Sequence, residues 1–600
     1  MSSAQDQEER TAFLREESPT PSASSTTLGD YLSDVESQEK GTLSSRTRKS
    51  SWGAVVKTIF TRRNLRRFSR RNPLVYTLVR YAIVAIVAVL VATPILAPSY
   101  TRTPRHYRDL VSRCSGPASA QRGCANPYNE KIFISVSLYD KNGHLADGHW
   151  GQTLLQLINL IGSDNVFLSI YENDSGEAGA TALKHLEQKL TCRHKIVNDA
   201  HVPIEDFPTI RMPDGTDRVK RISYLSEMRN RALRPLDISD GPELGIERFD
   251  KVLFLNDVVF NPTDAANLLF STNVGPDGRS QYLSACALDF IKPFIFYDLY
   301  AQRDAEGFSG GLPIFPFFSN EGNGISRAAV LHQSDAVPVK SCWGGMVAMQ
   351  AKYVQNLEPV LPSYDFREIG SHIIDPNFPT NVTSPVRFRS EPEVFFDACE
   401  CCLFLADVTQ AAKSFGDEDM GTFVNPYVRT AYTQDVFRWL PWVRRWERLL
   451  TIPQWLLTRF AGLPTHNPHR AVEQGERFME EIWVGPGPGH EEQGHEPGHW
   501  QMVERTGRNG MFCGVREMQL VLQKERSEDW GEVQRSGEEW SLLTSWRMRE
   551  LAELARLAAK NPEAKMDKTP SYDDSSIDSG SHGPKKLNGN KWRPAHAGSH

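Results

Sequence analysis

The sequence predicts an α/β protein: a mostly parallel sheet with helices on both faces, preceded by one transmembrane helix. Three observations predict it. From Lys131 onward, short apolar, β-branched runs alternate with stretches of helical periodicity. Leu74–Ala97 is almost wholly apolar. The ten Lys/Arg of Arg46–Arg71, a stretch without Asp or Glu, all lie on the N-terminal side of that run.

Crossing a bilayer takes roughly twenty apolar residues in a helix, and Tyr81–Leu96 contains no charge at all. Arg80 lies close enough to the basic flank to extend its guanidinium that way, and Pro94 falls near the far end, where a break costs little. The polar stretch ahead of the run is too long for a cleaved signal peptide. Basic residues stay cytosolic, so the N-terminus is expected in the cytosol and the residues after Pro98 in the lumen. A buried core helix is the alternative reading of the run. Nine cysteines suit a disulfide-permissive compartment, with Cys114 and Cys124 close enough in sequence to pair. The net charge of −6 points to no particular partner, and the topogenic role of the basic run leaves no reason to invoke nucleic acid.

Residues 1–73 read as a disordered, then basic tail, 74–97 as the anchor and 98–128 as a stem. Residues 129–415 form the main domain, 416–525 an extension packed on it, and 526–600 a helical, then disordered tail. Within the main domain, strands are expected at Lys131–Leu138, Val166–Tyr171, His194–Val197, Lys251–Leu255 and Tyr282–Leu288. Shorter strand-like pieces occur at Val394–Phe396 and Leu403–Leu405, and helices at Trp150–Ile161, Glu177–Leu190 and Arg221–Leu233. Ligands of such sheets bind beyond the carboxyl ends of the strands.

There the strand ending at Leu255 runs into Asn256-Asp257-Val258, where Asp257 is the candidate ligand of a hard divalent cation bridging a diphosphate. A helix cap is the competing reading. Tyr139 and Glu172-Asn173-Asp174 follow the first two strands and can hydrogen-bond a ribose or base. Arg229 can face phosphate, unless it and Arg231 simply line a solvated helix face. Trp343-Gly344-Gly345 forms a turn whose tryptophan can stack on a sugar, or belong to the core. For the carboxylate that holds the acceptor hydroxyl or takes its proton, the order of candidates is Glu391, Asp289, Glu393.

The segments KIFISVSLYDKNG (131–143), SIYENDSGE (169–177), YLSEMRNRAL (224–233), FDKVLFLNDVVF (249–260), SCWGGMVA (341–348) and FRSEPEVFFDACECCLF (388–404) resemble the fungal capsule-associated α-1,3-mannosyltransferase family. The resemblance covers roughly residues 130–410. It implies a GT-A-type, Rossmann-like fold, GDP-mannose as donor, a divalent cation (Mn²⁺ or Mg²⁺), a glycan acceptor and a Golgi-type membrane location. By position, Asn256-Asp257-Val258 stands where such enzymes carry Asp-x-Asp, and Val258 departs from that pattern. A catalytically silent, glycan-binding or assembly subunit is therefore the alternative function.

Other motifs are set aside. His495-Glu496-Pro497-Gly498-His499 matches a zinc-peptidase pattern, but Pro497 and Gly498 forbid the helix that would put both imidazoles on one face. Cys399, Cys401 and Cys402 fit buried thiols or a disulfide. The sequon at Asn173 is expected unused if that residue meets nucleotide; a second stands at Asn381. Trp439–Phe460 is amphipathic, and either lies on the lumenal membrane surface or packs on the core.

Overall fold

The computed structural model describes residues 73–117, 122–199, 202–212, 216–237, 248–357, 368–370, 385–417, 420–463, 468–484, 499–515, 517–524 and 527–534. The basic run Arg46–Arg71, the Asn381 sequon, His495–Gly498 and the C-terminal tail lie outside them.

One ten-stranded sheet organises the chain. In chain order its strands are β1 (Ile132–Leu138), β2 (Val166–Asn173), β3 (Arg193–Asp199), β4 (Lys251–Leu255), β5 (Ser284–Lys292), β6 (Ile295–Phe296), β7 (Arg303–Asp304), β8 (Val337–Ser341), β9 (Met346–Gln350) and β10 (Thr422–Ala431). Across the sheet they run β3-β2-β1-β4-β9-β5-β10-β8-β7, with β6 paired to β5. The half from β3 to β4 is parallel. β9 enters antiparallel between β4 and β5, pairing Val347 with both Phe254 and Cys286, and β10 returns parallel to β5.

Strand alternation supplies a core on each face. Phe133, Phe167, Phe254, Leu288 and Val347 point to one, with Leu233 of α5 (Arg221–Leu233) and the face of α8 (Glu400–Ser414). Ile134, Leu168, Leu253, Leu255 and Ala348 point to the other, beneath α3 (His149–Ile161) and α6 (Pro262–Ser271). Along the chain, α1 (Pro73–Leu96) and α2 (Arg105–Arg113) come first, and α4 (Gly176–Glu187) follows β2. A short α7 (Ile325–Leu331) precedes β8, and α9 (Gln434–Val443) and α10 (Thr451–Ala461) follow β10. Within α1, Thr77–Leu96 is long and apolar enough to cross a membrane and is only 6% buried, which removes the reading as a core helix.

Three expectations change. Leu403–Leu405 is the middle of α8, because Cys402, Leu403, Phe404 and Leu405 lie among residues buried on several sides, and a fully buried helix reads like a buried strand. Val394–Phe396 holds no strand; the short one there is Asp397–Ala398. The expected border at 415/416 falls inside a single body, since β10 is an inner strand of the sheet. Disulfides join Cys114 to Cys124, Cys286 to Cys342 and Cys402 to Cys513, while Cys192, Cys399 and Cys401 are buried thiols.

Candidate active site

At the carboxyl end of β4 the backbone of Asn256 is fixed from two sides. Its N–H donates to the Gly345 carbonyl at 3.0 Å, and its carbonyl accepts from Trp150 Nε1 at 3.0 Å. Trp343 Nε1 lies 3.4 Å from Asn256 Oδ1. The next side chain, Asp257, is exposed at the carboxyl end of the strand. Loss of water among the surrounding atoms pushes its carboxyl up from the ordinary range; the Arg229 charge opposes that, and Asp140 adds to it.

Val258 is buried, and a Cβ on Gly345 would sit 2.7 Å from its Cγ1. The third place of the motif is thus spent on packing. A Cβ on Gly344 would lie 2.0 Å from the Ala287 carbonyl oxygen, and both glycines have positive φ, 63° and 70°. What they permit is the entry of β9 between its neighbours. Contact with a ligand is not what requires them.

Arg229 extends from α5 across the face of Trp343, its guanidinium carbon 4.8 Å from the ring centre and 5.6 Å from that of Phe388. Its Nε is 3.3 Å from Glu400 and its Nη1 2.9 Å from Cys401 Sγ. Burial works against its charge, and the thiol of Cys401 with the carboxylate of Glu400 outweighs burial, so the group stays protonated. Trp343 is itself buried, with Arg229 over its ring and Phe254 beside it. The core reading therefore holds for this tryptophan: it positions Arg229, and its face is closed to a sugar. Arg231 serves structure as well, bonded to Glu227, Tyr171 and Asp199.

Asp289, on β5, meets a carboxylate that sequence reading missed. Asp298 N–H donates to Asp289 Oδ1 at 3.3 Å, and Asp298 Oδ2 accepts weakly from Gly344 N–H at 3.4 Å. Tyr432 O–H donates to Asp289 Oδ2 at 2.8 Å. Burial, then the neighbouring Asp298, pushes the Asp289 carboxyl up to about 8, and burial raises Asp298 too. No local motif announces Asp298, which stands in a loop after β6; only the return of that loop onto the Gly344 turn brings it in.

A carboxyl raised in the fold lends stability that is full below the ordinary carboxylate range and is lost as pH rises through the raised value. Asp289→Asn removes that loss. Its melting temperature relative to the parent should therefore improve steadily from about pH 5 to about pH 8 and level off above, and a flat difference across that range would contradict the assignment.

On the side of β1 and β2, Tyr139 is exposed and Glu172 is buried. Glu172 Oε1 accepts from Ser175 N–H at 2.7 Å, while Oε2 has no partner among the described residues. Asn173 Nδ2 donates to Tyr224 Oη at 2.8 Å, which holds that amide inward. Asp174 has φ 68°, and Ser175 Oγ accepts from Asp140 N–H at 2.7 Å, so the two strand ends are tied to each other. Tyr139, Glu172, Asn173, Asp174, Asn256 and Asp257 share one edge of the parallel half of the sheet.

Glu391 and Glu393 are placed otherwise. Glu391 Oε1 accepts from Arg389 Nη1 at 3.0 Å and its Oε2 from Arg508 at 2.6 Å. Glu393 accepts from both Arg505 and Arg508, and the two arginines hold its carboxyl below the ordinary range. Arg389 in turn grips Asp407 at 2.6 Å and 3.0 Å. These are members of a buried ion network that fastens residues 505–509 to α8. A carboxylate with both oxygens engaged by arginine is a poor base; Asp289 is fully buried with both oxygens bonded as well, which leaves the half-buried Asp298 beside it as the more reachable carboxyl.

Part of the chain is similar to known proteins. Residues 131–407 match the family model described as Cryptococcal mannosyltransferase 1. Alpha-1,3-mannosyltransferase CMT1 of Cryptococcus neoformans is 24% identical over 310 residues, 47% of this chain and 54% of that protein. The chain thus spans about half the length of this relative. A solved structure, mannosyl-3-phosphoglycerate synthase from Rubrobacter xylanophilus, is 13% identical over 68% of this chain and 93% of its own, with a TM-score of 0.23. The matched segment runs from β1 into the first half of α8 and contains Asp257, Arg229 and Asp289, and over it the chain is similar to the cryptococcal mannosyltransferase family.

Proposed function

We propose that the chain transfers mannose from GDP-mannose to a glycan acceptor in α-1,3 linkage with retention, as a single-pass type II protein of a Golgi-type membrane. The observation that carries the reading is Asp257: an exposed carboxylate at the carboxyl end of an inner strand, within the field of the half-buried Arg229. One reachable carboxylate, with no second oxygen ligand at Val258, suits Mn²⁺ or Mg²⁺, which take one or two protein carboxylates and complete their shell with substrate phosphate. Such an ion supplies charge neutralisation for the departing nucleoside diphosphate.

The chain's own residues do the rest. Arg229, kept charged by Glu400 and Cys401, adds a fixed positive field behind Asp257. Asp289, its carboxyl pushed up to about 8, holds a proton at neutral pH, and the half-buried Asp298 beside it can accept a hydrogen bond from the attacking hydroxyl. Tyr139 and Asp174, the exposed members of that edge, hold the nucleoside, with Glu172 and Asn173 buried behind them.

The test is transfer from radiolabelled GDP-mannose, GDP-glucose and UDP-sugars by the full chain, after chelation and with Mn²⁺ or Mg²⁺ restored. Mannose transfer that returns with the metal is the expected result. Absence of metal-dependent binding or transfer with every donor would leave the silent-subunit alternative standing instead.

A further inference from the structure

Pro94 has no N–H, so the carbonyl four residues back, that of Leu90, loses its bond within α1. An unsatisfied carbonyl in or beside hydrocarbon costs several kcal/mol. Here the partner comes from the globular part: Trp446 Nε1–H donates to Leu90 O at 3.1 Å. Two further bonds secure the same junction, Ser99 N–H to the Arg444 carbonyl at 2.8 Å and Arg444 Nη1–H to the Tyr100 carbonyl at 3.1 Å. Leu90 lies six residues before the end of α1, about 9 Å along the helix axis at 1.5 Å per residue. The segment carrying Trp446 is therefore held beside the last turns of the apolar helix.

What that segment presents outward is apolar. Trp439 and Trp442 of α9 are 59% and 53% exposed, and Ile452, Trp455, Leu457 and Phe460 of α10 are exposed too, Phe460 at 78%. A wholly apolar groove of about 470 Å³ opens beside them, lined by Phe294, Ile295, Trp439, Trp442, Val443 and Trp446, with Lys292 at its edge. Arg438, Arg445 and Arg459 are exposed around this face, the guanidinium of Arg445 lying 4.7 Å from the Trp442 ring centre. An apolar, tryptophan-rich surface fringed by cations suits the interface of a bilayer carrying anionic lipid.

We infer that Trp439–Phe460 is seated in the lumenal leaflet, with the groove open to a phospholipid acyl chain, so that the catalytic sheet is docked on the membrane rather than tethered above it. The inference rests on the anchor reading of α1. It commits the surface to lipid: its continuity with α1, through the Trp446–Leu90 bond, places it where lipid already is. A docked domain presents the Asp257 crevice at a fixed height and favours acceptors close to the membrane.

The test uses the full chain in vesicles of phosphatidylcholine and phosphatidylglycerol, with an environment-sensitive fluorophore on one introduced cysteine at a time and nitroxide-labelled lipids as quenchers. Ala85→Cys, in mid α1, reports the anchor. Phe460→Cys reports the proposed surface, and Glu187→Cys, at the end of α4 beside the far edge strand β3, is the aqueous control. Expected are deep quenching at position 85, blue-shifted emission with shallow quenching at position 460, and no quenching at position 187. Quenching at 85 with none at 460 would overturn the docking and leave the anchor intact. No quenching at 85 would sink the anchor reading and the docking with it. Replacing Trp439, Trp442 and Trp455 together by glutamine should reverse the blue shift at 460 while position 85 stays quenched; an unchanged shift counts against the proposal.

Discussion

Asp257→Asn is expected to lower mannose transfer by about a thousandfold, the scale on which removing a single group that stabilises transition-state charge is felt. The substitution keeps size and removes the only reachable oxygen anion of the Asn256-Asp257-Val258 turn. Its effect on folding runs the other way. Desolvation raises the Asp257 pKa, so at neutral pH the folded chain bears the cost of keeping that carboxylate charged. An amide removes the cost, and the melting temperature should hold or rise. Loss of turnover with retained stability, together with loss of metal-dependent donor binding, is the signature of a ligand. Equal turnover in variant and parent would remove Asp257 from the chemistry. A matching fall in stability would mean that the side chain is structural.

The largest expected effect on stability lies away from the crevice. Arg429, on β10, makes a two-armed ion pair with Glu447, in the turn after α9, its Nη2 donating to Oε2 at 2.9 Å, with both side chains buried. Its guanidinium also lies 5.1 Å from the Phe290 ring centre. Breaking such a pair leaves an uncompensated buried charge and costs about 3–5 kcal/mol. Here the damage is compounded, because Arg444 already feels Arg429 as a like charge that, with burial, drives its own pKa down to about 10. Glu447→Ala should therefore lower the melting temperature by about 6–20 °C, at roughly 2–4 °C per kcal/mol for a large domain. Replacing the pair together, Arg429→Met with Glu447→Leu, should recover most of the loss. A small effect in the single variant would show that water reaches Arg429.

Much of this protein is legible in its residues alone. Periodicity and β-branching locate β1 to β5 and the helices α3, α4 and α5 because each buries one stripe or both faces in a simple, local way. The apolar helix is legible for the same reason: Thr77–Leu96 is a run long and apolar enough to cross a membrane, and it proves unburied. Asp257 is legible because a polar pair at the end of an apolar strand must face the crevice. Less can be read of α8, whose burial on several sides erases periodicity, or of β10, whose partners β5 and β8 are remote in sequence.

By itself, then, the sequence determined the alternation of elements, the long apolar helix, the resemblance to a mannosyltransferase family and the acid at the strand tip, all properties carried by neighbouring residues. Tertiary structure alone decided which charges are free to act. It locked Glu391 and Glu393 to arginines from residues 505–508, and it turned Trp343 into a support for Arg229. It also brought Asp298 against Asp289, and Trp446 against the carbonyl that Pro94 leaves bare. Each of these depends on groups far apart in the chain, and whether a carboxylate is a catalyst or half of an ion pair is settled by what the fold sets beside it.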